Sequence, residues 1–318
     1  MSDLSLQFQQ AASQLPVHSY FDAELFEREK ELLFKAGPRY VGHKLAVPNP
    51  GDYFALPQEG QGRALVRGAQ GEVRLLSNIC RHRQAIMLNG RGSLHAEGKG
   101  HAGGSVVCPL HRWTYSDQGQ LLGAPHFRHD PCLDLNGYKL REWNGMLFED
   151  NGRDIAADLA GMTEAASFSF EGYALDHVEL HECNYNWKTF IEVYLEDYHV
   201  APFHPGLGNF VTCDDLRWQL RKQYSVQTVG VAPTFGEPGS DIYKKWKEVL
   251  LAYQNGQKPT HGAIWLTYYP HITVEWYPHV LVISTMHPVS INKTLNMVEF
   301  YYPEEIVSFE REFVQAQR

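Results

Sequence analysis

The chain has 318 residues, 43% of them hydrophobic and 20% charged, the make-up of a globular protein with room for roughly two domains of about 150 residues. A formal charge of −9 without a basic block is a poor match to nucleic acid, whose binding rests on neutralising phosphates, and no apolar run reaches the length of a membrane span. Residues 1–15 lack the basic-then-apolar build of a secretory signal, and the five cysteines are an odd number, too few for a disulfide framework, so the reading is a cytoplasmic chain in which paired Cys and His point to metal.

Residues 22–36 read as a helix, because Leu25, Phe26, Leu32 and Leu33 recur near helical spacing and Gly37-Pro38 stops it. From 40 to 149 the texture is β-rich. Short β-branched and aromatic runs at 40–47, 63–66, 73–79, 105–107 and 145–148 alternate with turn signals. Asp117-Gln118-Gly119 reads as a hairpin turn after Thr114-Tyr115. Residues 150–172, rich in Ala, Gly, Asp and Ser, read as a connector. Beyond it, 173–180 alternates as a strand. Residues 186–198 are helical in pattern, with Trp187, Phe190, Ile191, Tyr194 and Leu195 at i, i+3, i+4, i+7 and i+8. The runs 263–269, 272–276, 280–286 and 295–302 read as strands of one sheet, and 303–318 as the start of a helix with Phe309 and Phe313 at i, i+4. The expected class is α+β, with a helical segment at 1–38, a β-rich domain at 39–150, and a sheet-and-helix domain at 151–318.

Two Cys-His pairs carry the first chemistry. Cys80-Arg81-His82 is followed, after 25 residues, by Cys108-Pro109-Leu110-His111. Each pair follows a predicted strand and so lies on a loop that can converge with the other. Cys₂His₂ is a common zinc set, but a zinc finger pairs Cys with Cys and then His with His. Here both loops run Cys then His, the order needed if each loop gives one ligand to each iron of a [2Fe–2S] cluster.

These residues, with Arg112-Trp113-Thr114-Tyr115 after them, resemble the Rieske motif. The gap is longer than usual in that family, and the excess is read as an insertion at 92–104 whose His95 and His101 are solvated. The extra loop cysteines of respiratory Rieske proteins are missing from both motifs. The resemblance therefore implies the lower-potential oxygenase type, with fewer hydrogen bonds to the cluster sulfurs.

His199 and His204 form the second constellation. Two His five apart across Pro202 do not stack on one regular helix; the first can end a helix and the second fold back from the next turn. Two His and a carboxylate leave open positions for O₂ on a non-haem Fe(II). The string from Asn186 through His199 to Pro205 closely resembles the iron-site helix of Rieske non-haem iron ring-hydroxylating oxygenase α subunits. The resemblance implies that His199 and His204 are iron ligands and that Glu196 connects them to the cluster of a neighbouring subunit. Asp197 is the competing residue, and Glu192, one turn before Glu196, is expected to line the same pocket. A Glu at 196 is similar to members acting on quaternary ammonium compounds.

The family also implies a carboxylate ligand from a C-terminal helix. Glu304, Glu305, Glu310 and Glu312 sit in no matching motif, so that ligand is expected beyond Arg318, in a truncated sequence. His177 and His181 are read as poor chelators, and His271, His279 and His287 as structural. Trp265, Tyr268, Tyr269, Trp276 and Tyr277 are read as sheet core, with an aromatic cage for an ammonium group as the alternative.

The resemblance further implies a Rieske domain followed by a helix-grip catalytic domain, in a homotrimer. It implies O₂ activation at mononuclear Fe(II), with electrons from NAD(P)H through a separate reductase or ferredoxin. The outcome is hydroxylation, including N-demethylation, or dihydroxylation of a small quaternary ammonium or aromatic substrate. A Rieske electron carrier without oxygenase chemistry and a zinc-binding structural module are the other two readings.

Overall fold

The computed structural model describes residues 15–95, 104–196, 199–208, 210–233, 235 and 241–305. No helix among them is long and apolar enough to cross a membrane. Asp197, His101, Glu310, Glu312 and the predicted helix from residue 306 onward lie outside the described residues.

The N-terminal helix forms where expected, but a different face is buried. Ala23–Glu29 is α-helical, with the Asp22 carboxylate capping the Leu25 N–H, and Lys30–Lys35 continues it as a π-turn. Phe26 and Glu29 are buried, whereas Leu32 and Leu33 are 63% and 40% exposed. The wider π-turn re-phases the face, so spacing at 3.6 residues does not carry through it. Glu29 is buried because Lys188 Nζ holds both its oxygens at 2.8 Å and Trp187 Nε1 donates to it at 3.0 Å.

Eleven short strands follow: β1 Tyr40–His43, β2 Asp52–Ala55, β3 Arg63–Arg67, β4 Val73–Ser77, β5 Arg91–Ser93, β6 Val106–Val107, β7 Thr114–Tyr115, β8 Leu121–Gly123, β9 Gly137–Tyr138, β10 Leu140–Trp143 and β11 Met146–Glu149. They make antiparallel sheets in the orders β5-β2-β3-β4-β9, β6-β7-β8 and β1-β11-β10. The turn after β7 is the expected one, closed by Gly119 N–H to the Ser116 carbonyl at 3.0 Å with Gly119 at φ 84°.

Residues 150–172 are a packed segment and not a bare connector. They hold a helix at Ile155–Asp158 and a 3-10 turn at Ala165–Phe168. Ile155, Leu159, Met162, Phe168 and Phe170 are buried in a core shared with β1, β11 and the large C-terminal sheet. Their apolar side chains are spaced among small residues, which hid them in the composition.

That sheet has seven antiparallel strands, β12 Tyr173–Cys183, β13 Val211–Leu220, β14 Tyr224–Val231, β15 Ala263–Tyr268, β16 Ile272–Tyr277, β17 Val280–Ser290 and β18 Lys293–Pro303, in the order β12-β18-β17-β16-β15-β14-β13. Strand alternation gives it two different faces. Ile264, Leu266, Ile272 and Val274 enter the core shared with the β-rich domain, while Ala263 and Trp265 turn to the opposite side. The helix Asp241–Tyr253 lies there, burying Trp246 and Leu250 against that second face.

Candidate metal centres and the cavity beside them

The two Cys-His loops are built alike. Cys80 donates its N–H to the Ala85 carbonyl and accepts from Gln84, both at 2.9 Å; Cys108 donates to Trp113 at 2.8 Å and accepts from Arg112 at 3.1 Å. In each loop the residue four beyond the cysteine closes the turn in the left-handed region, Gln84 at φ 57° and Arg112 at φ 61°.

Together the loops segregate their donors. Cys80 and Cys108 are each 1% exposed in the core, and Cys80 hydrogen-bonds the Cys108 thiol, whose ionisation is pushed up first by burial. The His82 and His111 rings lie 4.7 Å apart toward the surface. His82 stacks on Trp113 at 5.0 Å and 7°, and its Nδ1 is buried without a hydrogen-bond partner, the state of an imidazole nitrogen left for a metal. Tyr115 accepts the Arg81 N–H at 3.2 Å and places its hydroxyl 3.6 Å from Cys80 Sγ.

A tetrahedral zinc needs all four donors around one point. Among the described residues no three His, Cys, Asp or Glu side chains are grouped to hold one ion. Sulfur at one end and imidazole at the other instead fit an elongated two-iron group, which when bound supplies a one-electron store.

The second constellation begins with the helix Trp187–Val193. Asn186 caps it, accepting from Lys188 N–H at 3.1 Å, and pins it with donations to the Ile291 and Tyr20 carbonyls at 2.9 and 3.2 Å. The helix stops five residues before the 198 expected from its pattern, so Glu196 follows it instead of riding on it. His199 does not end a helix either: it stands at the N-cap of Val200–Phe203, and His204 is the C-cap. Their rings are 5.5 Å apart at 78°.

The Glu196 carboxylate hydrogen-bonds His199 Nδ1 and accepts the His199 backbone N–H at 3.3 Å. An Nδ1–H given to a carboxylate fixes the tautomer and leaves Nε2 as a ligand. Glu192 does not share this surroundings. It is exposed and accepts the Tyr20 hydroxyl, because the helix turns it away from the cavity. No carboxylate joins the two histidines as a third donor among the described residues.

The histidines open on a cavity of about 430 Å³, lined also by Tyr185, Phe190, Tyr194, Glu196, Trp265, Glu275 and Tyr277. Of the five aromatics considered for a cage, only Trp265 and Tyr277 reach it. Tyr268 is buried on the opposite face, with its hydroxyl on Asp158 and Arg153 above its ring. Glu275 was not singled out by sequence reasoning. Its signal is a lone charge in the run Ile272–Tyr277, cross-strand from Trp265 and on the same face as Tyr277. Elsewhere, His177 stacks on Phe300 and pairs with Asp176, His181 pairs with Glu179, and His271 Nε2 is hydrogen-bonded to the Pro38 carbonyl.

Residues 38–139 match the Rieske [2Fe-2S] domain, and residues 163–318 match the ring hydroxylating alpha subunit catalytic domain. The chain belongs to the Rieske non-haem iron oxygenases as a catalytic α subunit, an oxidoreductase with a [2Fe–2S] cluster and a mononuclear iron that draws electrons from a protein partner. It is 58% identical over 320 residues to putrescine 2-hydroxylase of Ralstonia nicotianae, covering 100% of this chain and 85% of that one. The putrescine 2-hydroxylase of Bordetella bronchiseptica is also 58% identical, over 97% of this chain and 73% of its own. The carnitine monooxygenase oxygenase subunit of Escherichia coli K12 is 24% identical over 95% and 78%. A quaternary ammonium Rieske monooxygenase, CntA, shares the fold, with a TM-score of 0.72 and 21% identity over 95% of this chain and 79% of that one.

Proposed function

We propose that this chain hydroxylates a small aliphatic diamine of the putrescine class. One atom of O₂ enters a C–H bond to give an alcohol, and the other leaves as water. The two further electrons come from NAD(P)H through a reductase or ferredoxin. The observation that carries this reading is the cavity at His199 and His204, whose volume of about 430 Å³ is that of a small-molecule site, in a chain 58% identical throughout to enzymes named for putrescine. An electron carrier has no use for such a cavity.

Cys80, His82, Cys108 and His111 hold the cluster in this reading, and His199 and His204 are two ligands of the mononuclear iron. Glu196 holds His199 in its ligating tautomer and links it toward the cluster of the adjacent subunit in a homotrimer. Asp197, the next residue, is the alternative link. The substrate in this reading is a primary diamine, neither a quaternary ammonium compound nor an arene.

Oxygen uptake with a surrogate reductase tests the reading. Putrescine is expected to stimulate uptake with formation of an amino alcohol, and stimulation by arenes alone would overturn it. Glu196→Ala is expected to leave the cluster reducible by dithionite while turnover is lost. Normal product formation by that variant would remove its linking role.

A further inference from the structure

The chain of hydrogen bonds behind the cavity runs in one direction. Trp265 Nε1–H donates to the Tyr277 hydroxyl at 3.2 Å, so the Tyr277 hydrogen is left for Glu275 Oε2, at 2.7 Å. Tyr194 donates to the other oxygen, Oε1, also at 2.7 Å. Both carboxylate oxygens therefore act as acceptors, an arrangement that suits the ionised carboxylate once a cation is beside it. Each keeps a lone pair beyond the one its tyrosine uses.

To ionise in this position Glu275 needs a counter-charge. Among the described lining residues none is Lys or Arg. Glu275 is not grouped with His199 and His204 around one ion among the described residues. Burial holds its carboxyl pKa above the ordinary value and the two tyrosines offset only part of that; a cation in the cavity supplies the charge that favours the ionised form. Trp265, its cross-strand partner, and Tyr277 add π-faces of the kind that favour an ammonium group.

We propose that Glu275 is the anchor for one ammonium group of the substrate, fixed in aim by Tyr194 and Tyr277, and that it selects cationic amines over neutral or aromatic compounds. This rests on the diamine reading above and adds the residue that enforces it. The geometry also ties recognition to the iron side, because Tyr194 directly follows the helix that leads to Glu196 and His199.

The test compares full-length wild type with Glu275→Gln, which keeps the shape and an acceptor but removes the charge, and with Glu275→Asp, which keeps the charge. Glu275→Gln is expected to raise KM for putrescine roughly ten- to hundred-fold, the loss of one hydrogen bond to a charged group. Its cluster spectrum and thermal midpoint should remain those of wild type, and Glu275→Asp should recover part of the loss. An unchanged KM in Glu275→Gln, with wild type active on putrescine, overturns the anchor and leaves the diamine reading intact. Wild type inactive on every aliphatic amine overturns both. A measurement on wild type alone stands if Glu275→Gln is unstable. Quenching of tryptophan fluorescence should report binding of 1,4-butanediol at least about ten-fold weaker than putrescine, and equal binding contradicts the proposal.

Discussion

With the cluster held as proposed at Cys80 and Cys108, Tyr115 bears on it through one atom. Its hydroxyl accepts the Arg81 N–H and faces Cys80 Sγ at 3.6 Å, so its hydrogen is available to the sulfur. A donor at sulfur favours the more negative, reduced cluster. Tyr115→Phe should therefore lower the reduction potential by about 40 mV, from a hydrogen bond of about 1 kcal/mol acting on a one-electron couple. Redox titration checks this against an unchanged visible spectrum; an unmoved potential means that Tyr115 gives no hydrogen bond to the sulfur. At this scale the sequence was most informative where chemistry restricts residue type. The convergence of the Cys80-His82 and Cys108-His111 loops was legible because few other uses place Cys and His twice in that order. Glu275 was not, since a lone Glu carries no spacing to recognise. Its meaning comes from Tyr194, which only the fold brings within 2.7 Å of it.

At the scale of elements, the N-terminal helix and the helix Trp187–Val193 are joined through one buried ion pair. Lys188 is 6% and Glu29 9% exposed, with two bonds of 2.8 Å between them. Removing one partner strands the other, so Lys188→Met should cost about 3–5 kcal/mol in urea unfolding, and the double change Glu29→Met with Lys188→Met should restore part of it. A loss below about 1 kcal/mol would mark the pair as a bystander. The sequence misled where local pattern and tertiary packing diverge. Leu32 and Leu33 looked like a core face, but the π-turn at Lys30–Lys35 turns them outward. Strand β13 was missed because it is an edge strand with charged Asp214, Asp215 and Arg217 and a shifted register between Thr212 and Arg217. In β14, buried Ser225, Gln227 and Thr228 break the apolar run that would have marked it. The strands β15 to β18 were legible because both faces are largely buried and their runs are long.

For the whole molecule, the two halves meet across a buried carboxyl. Tyr40 of β1 donates to Glu299 of β18 at 2.5 Å and Tyr301 donates at 3.1 Å, and burial pushes the Glu299 carboxyl from 4.5 up to about 7. The folded state thus holds a proton that the unfolded chain has released between those values. Stability from this group is greatest below pH 4.5, falls as pH rises toward 7, and levels off above it. The span is about 3 kcal/mol. Glu299→Gln should flatten this slope and gain relative to wild type at pH 8, read from urea midpoints at several pH values; a parallel pH profile in the variant would contradict it.

The coupling of a one-electron store to oxidation in the substrate cavity is open to a single experiment. Full-length protein with its cluster reduced by dithionite is mixed with putrescine and ¹⁸O₂, and the cluster absorbance and the amine products are followed together. Reoxidation of the cluster accompanied by a hydroxylated diamine carrying one ¹⁸O atom is the expected result. Reoxidation with putrescine recovered unchanged would uncouple the cluster from diamine hydroxylation.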